Sequence, residues 1–418
     1  MYNIVSFFGL FGFMILGWLC STNRKNINWR VILWGLVLQF TFAGFIFVVP
    51  LGSKVFLAIN DLVVQILGCA ARGSTFVFGN LALPPGVEGS FGFILAFQAL
   101  PTIIFFSALI SLLYYLNIMP LIIRLFAKLF TRLMKISGAE ALAASSNIFV
   151  GVESAFTVKP HIKNMTHSEL CTLLTAGMAT VASNVLALYV FTLQDVFPTI
   201  AGHLVSASIL SAPAAIIMAK LVWPETEQPE TLGQDIHPHY EKPDNFFLAI
   251  INGAQEGVKV VLAITALLIA VLGLTALLDM FLGMLISGLS LRTILTYCAY
   301  PVTYLLGIAP ADVGKIATLI GEKLVLTEVV AYQDLAKLLA EDALTDPRSA
   351  VIATYALCGF THIASIAIFV GAISGIAPEK TKEITQVAFR SLVAATLACL
   401  MTGGIAGVFY SGSTLLIQ

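Results

Sequence analysis

Two acids stand in stretches of chain that are otherwise apolar. Glu153 lies in "SSNIFVGVESAFTVKP" (residues 145–160), two places after Gly151, and Glu328 lies in "LIGEKLVLTEVVAY" beside Thr327. At the centre of a bilayer an ionised side chain costs at least ~3 kcal/mol unless it is paired or solvated, so such a residue reads as functional. A carboxylate held there can accept hydrogen bonds from a ligand or balance a cation. The other reading of Glu153 is a group at the water interface that caps a helix; that of Glu328 is a structural pair with Lys323. Neutral oxygens accompany the acids: the Asn147 amide, the Thr180 and Ser183 hydroxyls, and the carbonyls of Val150 and Val181 wherever a helix is interrupted. A hard monovalent cation such as sodium takes a shell of this kind. An Asn and a Thr in apolar helices also serve as packing contacts, and spacing does not decide between the two.

The elements that position these groups are apolar and long. Of 418 residues, 58% are hydrophobic and 11% charged, where soluble domains carry about 25% charge. Residues 4–20, 31–50, 91–119, 201–223 and 246–286 approach or exceed the ~20 residues that cross a bilayer. The fold class is therefore an all-α polytopic membrane protein. A net charge of −1 offers nothing to nucleic acid, and six scattered cysteines show neither metal nor redox spacing. There is no H-E-x-x-H and no G-x-S-x-G, which argues against an enzyme. The first apolar run has no basic leader and reads as a retained helix. Arg24, Lys25 and Arg30 follow it, which places that loop inside and the N-terminus outside.

Residues 51–90, rich in Gly and Pro, read as an extracellular segment with a short surface helix. In "LIIRLFAKLFTRLMK", Arg124, Lys128, Arg132 and Lys135 stack on one helical face with Leu125, Leu129, Phe130 and Leu133 opposite, the pattern of a helix lying in the membrane interface. The polar run 224–245 is a linker between two halves, and His237 and His239 within it read as solvated loop residues. Each half then runs from an acid-bearing hairpin to a helix interrupted at "AS", at Ser183 and at Ser365. Placed on opposite sides of the membrane, these make an inverted repeat. About ten residues per arm in the first hairpin is too short to span and suits a re-entrant dip.

On the strength of "TNRKNINWRVI", "FFSALISLLYYLNIM", "NIFVG", "APAAIIMAKLVWPETE", "ALCGF" and "SIAIFVGAISGIAPEK", the chain resembles the concentrative nucleoside transporters over nearly its whole length. The resemblance implies a bacterial inner-membrane homotrimer of protomers with eight transmembrane helices and two opposed re-entrant hairpins. Each would import a nucleoside down a sodium gradient by an elevator-type movement. It implies scaffold helices one to three with an extracellular segment over 1–119 and an interfacial helix at 120–136. The first hairpin and transport helices follow over 137–223, then a cytoplasmic linker at 224–245. A scaffold helix and extracellular helix take up 246–308, and the second hairpin with its transport helices 309–418. Matched by position, Asn147, Val150, Thr180 and Val181 form the sodium shell. Glu153, Ser154, Val185, Thr327, Glu328, Phe360, His362 and Ser365 face the substrate, with Glu328 gripping ribose and Phe360 beside the base. No cofactor is implied beyond the coupling ion.

The departures from the family pattern are local. The family's G-Q-T-E-A-P is here "GVESAF", with Val152 in place of the amide, the acid one place nearer the glycine, and the hairpin one residue short. Thr327 and His362 stand where asparagine is usual. Because a site built to bond one edge rejects ligands lacking it, a modified nucleoside or another polar solute remains open. So does proton coupling through Glu153 and His362.

Overall fold

A chain in lipid satisfies its backbone by forming helices. In the computed structural model every regular element described is helical. The described residues are 2–151 and 153–412; Val152 lies outside them. The first half opens with α1 (Tyr2–Leu19), α2 (Trp29–Phe47) and α3 (Pro50–Phe78). A short α4 (Leu95–Gln98) leads into α5 (Leu100–Tyr115), and α6 (Ile118–Met134) follows. The first hairpin goes out on α7 (Gly138–Asn147) and returns on α8 (Ser154–Thr157) and α9 (Lys159–Ile162). One helix broken in the middle, α10 (His167–Ala179) and α11 (Ser183–Leu193), then precedes α12 (Ile200–Val222). The second half repeats the order: α13 (Phe246–Leu285), α14 (Leu291–Leu305), a hairpin of α15 (Val313–Val325) and α16 (Glu328–Ala340), and a broken helix α17 (Pro347–Leu357) and α18 (Ile363–Ile376). It closes with α19 (Thr381–Phe409).

Among the described residues, eight helical segments are long and apolar enough to cross a membrane. They include α3, and they omit the broken α17–α18. This corrects the expectation of a short surface helix after residue 50, since α3 runs unbroken for 29 residues. Pro50 sits at the first turn, where a missing N–H costs nothing, and the helix tolerates Gly52, Gly68 and Gly73.

Burial sorts the elements. The spans made of α10–α11, α12 and α19 are 83%, 89% and 78% buried, whereas α13 is 11% buried. The buried helices are dense in Ala, Ser and Gly, which lets backbones approach closely without any hydrophobic drive between helices in lipid. At ~1.5 Å per residue α13 is ~60 Å long, well beyond the ~30 Å hydrocarbon layer.

The two hairpins start from opposite ends of α1. At its C-terminal end the Thr22 N–H donates to the Val222 carbonyl, and the linker after Val222 reaches the base of the first hairpin, where Gly138 N–H donates to Thr231 O at 2.8 Å. At its N-terminal end the Ser6 hydroxyl donates to Leu306 O, 2.7 Å, just before the second hairpin. Buried Arg348 ties the same end together, donating to Gly307 O, Ser6 Oγ and Gly407 O.

On α6 the buried stripe is Met119, Ile123, Ala127, Phe130 and Met134, while Leu125 on the apolar face is 70% exposed. One further expectation is corrected. The linker is also not merely solvated: Ser137 Oγ lies 2.9 Å from Thr231 Oγ1, and Tyr240 packs on Tyr114 with ring centroids 5.3 Å apart.

Beneath the linker lies a buried ionic knot. Lys220 Nζ pairs with Glu140, donates to Ser168 Oγ at 2.8 Å and approaches Glu225 at 3.5 Å. Ser137 Oγ donates to Glu169 at 2.5 Å and Thr172 Oγ1 to Glu140 at 2.9 Å. Removing one partner of such a pair strands the other charge at a cost of about 3–5 kcal/mol. Lys220→Met is therefore expected to lower the melting midpoint of the purified protein strongly, and adding Glu140→Gln to restore part of the loss. An unchanged midpoint for Lys220→Met would show that the knot carries no stability.

Candidate functional site

The centre is built where both breaks and both hairpin tips meet. The first tip docks on the first break, with Ser183 N–H donating to Phe149 O at 3.1 Å. Gly359, at φ +132°, belongs to the second break and lies against Ala179 at the edge of the first; a Cβ there would come within 2.7 Å of the Ala179 carbonyl. That conformation and that approach both require glycine. The Cys399 thiol lies 3.5 Å from Ala179 O and 3.0 Å from Cys358 O, so one side chain answers freed carbonyls from both breaks. The N-termini of α8, α11, α16 and α18 all begin at these tips and breaks. Their partial positive charge favours acceptor groups in the space between them.

Glu328 heads α16 and is 1% exposed. Its Oε1 accepts the Tyr189 hydroxyl at 2.7 Å, and its Oε2 lies 3.6 Å from His362 Nε2. Lys323 is not its partner, contrary to the structural pair weighed from sequence; its ammonium donates instead to Ala356 O at 3.1 Å. Thr327 holds φ 126°, ψ 161°, a region essentially restricted to glycine, so a β-branched residue there stores about 1–3 kcal/mol of strain at the hairpin tip. Ser365, in the first turn of α18, donates from Oγ to His362 O at 2.5 Å at the edge of the second break.

Buried polar atoms without a hydrogen-bond partner gather here. They are Glu328 Oε2, Thr327 Oγ1, Thr361 Oγ1 and both ring nitrogens of His362. Each such atom costs about 1–3 kcal/mol. A concentration of them in one place is the mark of a site whose ligand supplies the missing partners.

Glu153, Val185 and Phe360 line a cavity of about 390 Å³ together with Thr180, Val181 and Phe369, within the usual range for small-molecule sites. Phe360 joins this cavity to the polar pocket, since its ring lies 4.5 Å from that of His362. Glu153 also lines a second cavity of about 300 Å³, toward the linker residues His239, Tyr240 and Glu241. Ser154, Thr327, Glu328, His362 and Ser365 line neither cavity. The acid and the second hairpin's polar group are thus in adjoining compartments, and Ser154 is turned away among buried residues.

The four oxygens expected to hold a cation lie around the first break. The Asn147 amide nitrogen donates to Ala143 O at 3.0 Å, leaving Oδ1 free. Thr180 Oγ1 gives its proton to Ala176 O at 2.9 Å and keeps its lone pairs. The carbonyls of Val150 and Val181 accept no backbone hydrogen bond among the described residues. A hard monovalent cation fits such neutral oxygens, and no cluster of three His, Cys, Asp or Glu suited to a transition metal occurs among the described residues.

Sequence reasoning missed Tyr189 and Asn184. Tyr189 stacks on Tyr332 at 4.6 Å and fixes the Glu328 carboxylate; a phenol in an apolar helix needs a partner, and that was the available signal. Asn184 lines both cavities and stands in the same "ASN" interruption as Ser183. Tyr189→Phe is expected to weaken ligand binding by about 10- to 100-fold, the worth of a hydrogen bond to a charged group. Concentration-dependent uptake checks this: a raised KM with an unchanged melting midpoint is the expected result, and an unchanged KM would remove Tyr189 from the site.

Three family signatures cover most of the chain. They are described as "Na+ dependent nucleoside transporter" N-terminus (residues 8–81) and C-terminus (203–407) and, between them, "Nucleoside recognition" (96–195). An uncharacterized transporter of Haemophilus influenzae is 38% identical, with 97% of each chain covered. The nucleoside permease NupC of Helicobacter pylori is 34% identical over 97% of this chain and 98% of its own. Mouse solute carrier family 28 member 3 is 37% identical, and the chain spans 59% of its length. Among solved structures, CNTnw in an inward-facing substrate-bound state superimposes with a TM-score of 0.91 at 33% identity, covering 98% of both chains. A variant of CNTnw in an outward-facing state also gives 0.91, at 32% identity and 99% coverage of both.

Proposed function

This chain belongs to the sodium-dependent nucleoside transporter family, and from that premise we propose that it is a secondary active symporter that imports nucleosides with sodium. It is a multi-pass membrane protein, and its bacterial permease relatives place such a chain in an inner membrane. The observation that carries the proposal is the gathering of unpartnered buried polar atoms around Glu328 and His362, next to a mostly apolar cavity that Phe360 lines. Ribose hydroxyls would meet Glu328, with Tyr189 holding the carboxylate in place. The base would lie in the cavity beside Phe360. Asn147, Val150, Thr180 and Val181 would hold the ion at the first break, behind the tip that carries Glu153. Ion and ligand then share one hairpin and one broken helix, which is what coupling requires.

Transport would proceed by re-entrant hairpins and broken helices moving together past the exposed helices, in a protomer of the trimer that the resemblance implies. Relatives solved in outward-facing and inward-facing states support alternating access of this kind. The test is uptake of labelled nucleosides into liposomes carrying the purified protein, with and without an inward sodium gradient. Accumulation above equilibrium only with the gradient is expected; equal uptake without it would remove sodium from the cycle.

One observation favours a second reading. His362 and Glu328 form a fully buried histidine–carboxylate pair 3.6 Å apart, a place where a proton can be taken up and released. In that case an inward proton gradient in sodium-free buffer would drive accumulation, and His362→Asn would abolish it.

A further inference from the structure

Resting on the transport reading, we propose that Glu153 makes the site selective for nucleosides whose base presents two adjacent N–H donors, guanosine above all. Its carboxylate would accept N1–H and the exocyclic N2–H of guanine as a bidentate pair.

The argument begins with what the cavity offers. Its walls are mostly apolar and include the rings of Phe360 and Phe369, the side chains of Val181 and Val185, and Gly177. Flat aromatic bases fit such walls, and a volume of about 390 Å³ holds a purine nucleoside. Its polar groups are Glu153, Thr180 and Asn184. Asn184 is partly committed: one Nδ2 N–H donates to Ser107 Oγ at 3.0 Å and Oδ1 accepts the Val185 N–H at 2.9 Å, which leaves its second N–H. Thr180 has given its proton to Ala176 O. What remains for a ligand is one Asn184 N–H and otherwise acceptor capacity, most of it at Glu153.

No Lys, Arg or His among the described residues claims that carboxylate, whose contacts within the chain are to the backbone of Gly151 and Glu153. Lys159, the cation nearest in sequence, is taken by Glu241 at 3.0 Å, and Lys259 by Glu256 at 2.7 Å. An ionised carboxylate only accepts, and its two oxygens take parallel N–H donors in the geometry that makes charge-assisted pairs strong.

The bases differ in what they present to such a group. Guanine places N1–H and N2–H side by side, spaced like the two oxygens. Hypoxanthine keeps N1–H alone. Adenine and cytosine put a donor next to a ring-nitrogen acceptor, and uracil flanks its single N–H with two carbonyls. An acceptor aimed at a carboxylate is repelled, so each of these is penalised relative to guanine. The family's amide at the hairpin tip can donate and accept; with valine in its place and the acid one place nearer Gly151, the donor is lost and the choice narrows.

The test is equilibrium binding of guanosine, inosine, 1-methylguanosine, adenosine and uridine to the purified full-length protein in sodium buffer. Guanosine is expected to bind most tightly, inosine about tenfold more weakly, and 1-methylguanosine, adenosine and uridine about 100-fold more weakly. Glu153→Gln is expected to lower guanosine affinity at least tenfold and to collapse the guanosine-to-adenosine ratio. Adenosine, uridine or 1-methylguanosine binding as tightly as guanosine to the unaltered protein would overturn the inference while leaving nucleoside transport standing. An unchanged ranking in a folded Glu153→Gln protein would do the same. Failure of the folded protein to bind any nucleoside would remove the transport reading, and the inference with it.

Discussion

Glu328→Gln is expected to reduce nucleoside uptake more than about 100-fold in a protein that still folds and reaches the membrane. The carboxylate has one oxygen held by the Tyr189 hydroxyl and the other facing His362 without a partner. A glutamine amide keeps one acceptor and turns the other into a donor. Whichever way it sits, Tyr189 or a ligand hydroxyl must turn round to accept from the amide, and the charge that strengthens both bonds is gone. Thermal melting in detergent separates this from misfolding, since the amide fills the same space as the acid. Near-normal uptake by Glu328→Gln would take Glu328 out of the site.

Asn147→Ala has the next largest expected effect, and of a different kind. Its Oδ1 is buried and free while its nitrogen is held by Ala143 O. On the proposed reading, deleting it removes one oxygen of the ion shell and leaves in place the groups assigned to base and ribose. The sodium concentration for half-maximal uptake is expected to rise about 10- to 100-fold, while the ranking of nucleosides at saturating sodium stays as it was. The reverse result, an unchanged sodium requirement with an altered ranking, would make Asn147 a ligand-reading residue.

Much of the molecule was legible in the sequence because a bilayer imposes strong rules. Apolar runs of spanning length became helices, the two acids marked the tips, and the first "AS" marked a break, whereas the second break lies at residues 358–362, just before its "AS". What was not legible has physical causes. Lipid does not penalise an exposed leucine, so α6 carries apolar residues on a face toward protein and on another toward lipid. The apolar face read from sequence mixed the two, joining Phe130, which packs, to Leu125, which is 70% exposed. Pro50 and the glycines of α3 read as breakers because their position in the first turn, and their tolerance inside a long helix, depend on neighbours. Tyr189 meets Glu328 across 139 positions, and no local pattern could have joined them. Lys323 seemed a partner for Glu328 from spacing alone, whereas the break after α17 supplies a carbonyl at Ala356 that takes the ammonium instead.

The central claim is that one hairpin tip and one broken helix hold ion and nucleoside together, and linkage measures this directly. Nucleoside affinity of the purified protein should be titrated calorimetrically at several sodium concentrations, with choline as the replacement cation, for the unaltered chain and for Asn147→Ala. Affinity rising with sodium in the unaltered chain, and nearly flat in Asn147→Ala, is the expected result, because coupling between two sites is a single shared free energy. Tight nucleoside binding that is indifferent to sodium in the unaltered chain would contradict it.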